Sequence, residues 1–103
     1  MSDKYILEDK KPVLEPDLLA WGRWFETADR HVAKTDVGEV HVSTVFLALD
    51  HNWGDGPPLL FETLVFGGAL AERMNRYSTW DEAEAGHAAM VKRVKQRAMG
   101  AAA

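Results

Sequence analysis

Two long apolar runs occupy the middle of the chain, residues 40–50 and 59–66, both rich in β-branched and aromatic side chains and bounded by Gly or Pro. That pattern predicts a long β-hairpin. The residues between the runs, His51-Asn52-Trp53-Gly54-Asp55-Gly56-Pro57-Pro58, predict an irregular connecting loop. Along the first run Val40, Val42, Thr44, Phe46 and Ala48 point one way and Val45, Leu47 and Leu49 the other. Both faces are therefore apolar near the middle and both need cover. Either the helices and the N-terminal segment divide that work, or one face meets a second copy of the chain in a homodimer.

The flanking segments supply those helices. A short N-terminal hairpin is expected from residues 4–7 and Val13-Leu14 across a polar turn ending in Pro12. Glu15-Pro16-Asp17 reads as a helix start, Pro being tolerated at the first helical position. The helix, about residues 16–30, sets Leu18, Trp21, Phe25 and Ala28 on one stripe with Trp24 beside it, which is a core pattern. Residues 31–35 add a strand, and Gly38 suits the left-handed position of the turn into Val40. After Gly67-Gly68, residues 69–75 read as a helical turn or a loop, and Arg76-Tyr77-Ser78 as a short extended piece. Thr79-Trp80-Asp81-Glu82 fits a capping box. It opens a helix to about Arg97 that buries Trp80, Ala83, His87, Met90, Val91 and Val94. Gly86 inside that helix costs about 1 kcal/mol relative to Ala, which points to close packing against a strand. The expected architecture is α+β in the order β-α-β-β-β-α: an antiparallel sheet of three or four strands packed with two main helices, one domain over residues 1–98 and a flexible tail over 99–103.

Composition narrows the function classes. A chain of 103 residues, 47% hydrophobic and 27% charged, has the composition of an ordinary globular domain. No apolar run approaches the roughly 20 residues of a membrane helix, and the N-terminal segment lacks the pattern of a signal peptide. The expectation is a cytosolic protein. With no cysteine, only His and carboxylates are available as strong metal ligands. The net charge is −4, and residues 36–75 hold six acidic side chains against one basic one, Arg73. Such a surface disfavours a nucleic-acid backbone and is either a solvated face or one that suits a partner with a basic surface.

Several residues are candidates for chemistry or binding. Asp50 and His51 lie where the first run enters the loop, Glu62 sits within the second run, and His87 lies on the apolar side of the last helix. Convergence of His51, Glu62 and His87 would make a His/carboxylate cluster for a divalent metal or a general base. The alternative makes the histidines hydrogen-bonded core or rim residues and pairs Glu62 with Arg73, Arg76 or Arg23. No His-Glu-x-x-His, Walker-type, dinucleotide or Gly-x-Ser-x-Gly pattern occurs. Trp53, among small and polar residues and close to Asp55, is either an exposed anchor for a partner or a lid folded onto the core.

The segments around Trp21-x-x-Trp24-Phe25-Glu26-Thr27-Ala28, residues 42–51, residues 57–67 and Arg76-Tyr77-Ser78-Thr79-Trp80 resemble a family of small proteins widespread in tailed phages and prophages. The likeness spans about residues 4–94, and the chain carries Ala48 where that family usually has Gly. The resemblance implies a phage accessory protein made in a bacterial host, and it brings no reaction, cofactor or catalytic residue with it. Three readings follow. The first is a non-enzymatic inhibitor or modulator of a host protein, with inhibition of host defence, anti-CRISPR-like activity included, as one use. The second is a binder or sponge for a nucleotide-like ligand, with Trp53 or Tyr77 stacking and Arg76 facing phosphate. The third is a metal-dependent hydrolase using His51, Glu62 and His87.

Overall fold

The computed structural model of the chain describes residues 3–102. It has the expected α+β architecture. A small hairpin, β1 (Tyr5–Glu8) and β2 (Lys11–Leu14), precedes α1 (Leu18–Thr27). Then come β3 (His31–Val37), β4 (Val40–Phe46), β5 (Phe61–Phe66), β6 (Met74–Tyr77) and α2 (Trp80–Ala102). Strands β3 to β6 form an antiparallel meander in chain order, with Val42 opposite Val65 and Phe46 opposite Phe61. Gly38 (φ +59) supplies the positive φ of the two-residue turn between β3 and β4.

Local chemistry moves some boundaries from the expected ones. Pro16 stays outside α1, because the Asp17 carboxylate accepts hydrogen bonds from the Leu19 and Ala20 amides and so caps the helix. Leu18 is consequently on the exposed side of the first turn, while Trp21, Trp24 and Phe25 pack inward. Strand β4 ends at Phe46 rather than Asp50, since Ala48 takes a left-handed backbone (φ +66) that leaves the ladder. A non-glycine residue there costs about 1 kcal/mol. The left-handed turn lets the Ala48 carbonyl accept from the Tyr5 amide at 2.8 Å and from the Trp21 indole at 3.3 Å. Residues 99–102, expected as a tail, continue α2. Ala103 lies outside the described residues.

The alternation of β4 and β5 decides what is buried. Their inward residues are Val42, Thr44 and Phe46, and Phe61, Thr63 and Val65; all six are buried, and α2 lies across them. Two apolar clusters result. Val42, Val65, Leu70, Met90 and Val94 form one. Phe46, Ala48, Leu60, Phe61 and Ala83 form the other, closed by the aromatic side chains of α1, Tyr77 and Trp80. Burying each Phe contributes about 2–3 kcal/mol.

Between the clusters runs a row of polar groups. His87 bonds Thr44 Oγ1 through Nδ1 and Thr35 Oγ1 through Nε2, both at 2.8 Å. Thr44 and Thr63 share a proton-bearing contact of 2.5 Å, and the Tyr77 hydroxyl donates to Thr63 at 3.2 Å. The row thus ties α2 to all four strands of the large sheet. Among the described residues no buried side-chain nitrogen or oxygen lacks a partner, so the row avoids the penalty of an orphaned polar group.

Gly86 is what lets Tyr77 reach this row. A Cβ on Gly86 would stand 2.2 Å from the Tyr77 ring, so the close strand packing expected for this glycine is made by β6. Gly86→Ala should therefore destabilise the fold by about 1–3 kcal/mol, although alanine is the better helix former. Denaturant unfolding of the variant against the parent chain measures this.

Candidate functional site

The loop over residues 51–58 is organised from inside by two side chains. The Asp50 carboxylate accepts from the Asn52 amide (2.8 Å) and the Leu59 amide (3.0 Å), bridging the two ends of the loop. The Asn52 side chain donates to the carbonyls of Asp55 (3.2 Å) and Pro57 (2.8 Å) and accepts from the Gly54 amide (2.9 Å). His51 serves the loop base. Its Nδ1–H donates to the Leu49 carbonyl at 2.8 Å and its amide to the Leu59 carbonyl at 3.0 Å. Below that, the Asp50 amide donates to the Asp3 carbonyl and Lys4 bridges to Leu49. The loop is a hydrogen-bonded turn held at both ends, and its one large side chain is outside. Trp53 is 81% exposed, which selects the exposed alternative over a lid on the core. Asp55 is exposed beside it.

The other candidates lie elsewhere. Glu62 points to the face of the sheet away from α2, where its carboxylate accepts from Arg76 Nε at 3.0 Å. His87 is buried on the inner face, so the sheet itself separates it from Glu62. His51 is occupied at the loop base. The three do not converge, and no group of three His, Asp or Glu side chains among the described residues is placed to hold a metal ion. Tyr77 packs inward on Gly86 while its neighbour Arg76 faces outward to Glu62. They do not line one pocket with Trp53.

The outward face of the large sheet is a second surface. Both helices pack on the inner face. Outside, Val45 and Leu64 are half-buried and Phe66 and Met74 about half-exposed, at 49% and 46%. They form an apolar centre flanked by the Asp36–His41 and Glu62–Arg76 pairs, the arrangement of an interface core with a polar rim. The apolar character of both strand faces is legible in sequence, and Arg76 is among the partners expected there for Glu62; the Asp36–His41 pair is not.

Asn52, Thr44 and Thr63 carry structural roles that periodicity alone does not single out. An Asn two residues before Gly54 is the available signal for the first. For the threonines it is a hydroxyl inside an otherwise apolar inward stripe.

The chain matches no family model, no curated protein and no solved structure. Among the described residues no helix is long and apolar enough to cross a membrane.

Burial pushes His87 below the usual histidine range, and the charge of His41 adds to the shift. The unfolded chain then binds this proton at a higher pH than the folded chain does. His87 accordingly leaves stability intact above about pH 6.5 and lowers it as the pH falls toward the depressed folded value, by at most about 1.4 kcal/mol per pH unit. Urea unfolding at pH 7.5 and pH 5.5 should show this loss in the parent chain. The loss should be smaller in His87→Gln.

Proposed function

We propose that this chain is a small binding protein without chemistry of its own, which acts by holding a protein partner through the loop that carries Trp53. The single observation that carries this reading is the 81% exposure of Trp53 on a loop fixed by Asp50 and Asn52. Exposing an indole to water forgoes the favourable burial of its large apolar area. A partner that covers it recovers that energy. Because the loop is already hydrogen-bonded, little ordering entropy is lost on contact, which is the advantage of a preorganised anchor. Asp55 beside Trp53, together with the net charge of −4, favours a partner with a basic surface.

The resemblance to small tailed-phage proteins sets the biological expectation: an accessory protein in the bacterial cytoplasm whose partner is a host protein, with inhibition of a defence system or modulation of a host enzyme as its effect. The open sheet face, on which Phe66 and Met74 are exposed, supports a second contact through which two copies form a homodimer. The nucleotide-like reading finds less support, since Arg76 and Tyr77 lie on opposite faces of β6. The hydrolase reading has no converging carboxylate and histidines.

Affinity capture from a bacterial host lysate, with the parent chain and Trp53→Ala as parallel baits, tests the reading. The variant should lose the captured partner, with affinity falling by about 2 kcal/mol or roughly 30-fold, while its melting temperature stays that of the parent. Retention of the same partner at the same affinity by Trp53→Ala would refute the assignment of the loop.

A further inference from the structure

At the end of the sheet opposite the Trp53 loop, the turn after β5 and the last turns of α2 border a hollow of about 210 Å3 that opens to solvent. Its walls are Val40, Gly68, Leu70, Val94, Arg97 and Ala98. The hollow follows from the residues around it. Gly67 (φ +85) and Gly68 (φ +73) turn the chain back on itself, and a Cβ on Gly68 would stand 2.7 Å from Val40 Cγ2. That side of the hollow therefore carries no projecting side chain. From α2, the small side chain of Ala98 leaves the opposite side open, and the buried cluster containing Leu70 and Val94 forms the floor.

A neighbouring hollow of about 270 Å3 shares Leu70 and Arg97 with the first and adds Arg93 and Gln96. The two make one groove, apolar at one end and cationic at the other. Arg93 and Arg97 lie one helical turn apart. Neither takes part in an ion pair among the described residues. In a chain of net charge −4, two guanidinium groups without carboxylate partners beside an apolar hollow are a local exception to the prevailing charge.

We propose that this groove binds a small amphipathic monocarboxylate, with its ring or short chain against Val40, Leu70 and Val94 and its carboxylate on Arg97, Arg93 standing beside it. Size and charge set the class. A cavity of about 150 Å3 holds benzene, so the larger hollow admits a phenyl ring with a short methylene chain. A guanidinium presents donors in a planar fork that matches a carboxylate. A neutral ligand of the same shape forgoes that contact, and a simple anion such as acetate forgoes the apolar one. The site is independent of the Trp53 loop and stands or falls separately from it.

Titration of 3-phenylpropionate into the full 15N-labelled chain, followed by amide chemical shifts, tests the proposal, with 3-phenylpropan-1-ol as the uncharged counterpart. The acid should shift the amides of residues 67–70 and 94–98 saturably, and the alcohol should bind about tenfold more weakly. Arg97→Gln should weaken the acid by about tenfold while its spectrum stays that of a folded chain. Ala98→Phe, which fills the hollow, should remove the response. Absence of a saturable shift with the acid, equal binding of acid and alcohol, or unchanged acid binding in Arg97→Gln would overturn the proposal.

Discussion

The hydrogen-bonded row from Thr35 through His87, Thr44 and Thr63 to Tyr77 is the constraint on which the rest of the fold depends. Apolar contact alone holds a helix on a sheet with little preference for register, because methyl and phenyl groups attract without direction. A buried imidazole with one hydroxyl at each nitrogen is directional. Sliding α2 along the sheet would strand the two ring nitrogens of His87 without their hydroxyl partners, at a cost of about 1–3 kcal/mol per orphaned group. The row therefore specifies where α2 sits, and the two apolar clusters on either side supply the bulk of the attraction.

That placement has consequences at both ends of the sheet. At one end Phe46, Phe61 and Ala83 close against the aromatic residues of α1, and the Trp21 indole bonds the carbonyls of Tyr5 and Ala48. The strand ends from which the Trp53 loop springs are thereby anchored, so an exposed aromatic is carried on a rigid base. At the other end the register of α2 sets Arg93 and Arg97 over the glycine turn after β5, and the groove there is a by-product of that register. The loop and the groove thus lie at opposite ends of one packing arrangement, each with its own residues.

Much of this was legible in the sequence. The alternation of residues 40–46 and 61–66, the capping box at Thr79 and the apolar spacing from Ala83 to Val94 lead to the sheet and to α2 with its correct inner face. Gly86 announced a close strand contact, though not that Tyr77 would make it. What was less legible depended on hydrogen bonds between residues far apart in the chain. Thr44 and Thr63 look like ordinary strand residues until His87, 43 positions beyond Thr44, is brought over them. His51, Glu62 and His87 suggested a cluster because type and rough position were all that spacing conveys; the pleat then put Glu62 and His87 on opposite faces. Trp53 has two readings in the sequence, anchor or lid, and the structure places it outside, on a loop that Asn52 holds by hydrogen bonds to its backbone.

The direction of the row can be read from its ends. With Tyr77 donating to Thr63, Thr63 to Thr44 and Thr44 to Nδ1 of His87, the imidazole proton lies on Nε2 and points at Thr35. The hydroxyl proton left over then belongs to half-buried Thr35. The reverse order would leave it on Thr63, which is fully buried. The decisive measurement is the protonation state and tautomer of His87, read from its ring 15N shifts by long-range proton–nitrogen correlation from pH 7.5 to 5.5. The account predicts a neutral ring protonated on Nε2 that stays neutral below the ordinary histidine pKa of about 6.5. A ring that titrates like a free histidine, or that averages between tautomers, would contradict it.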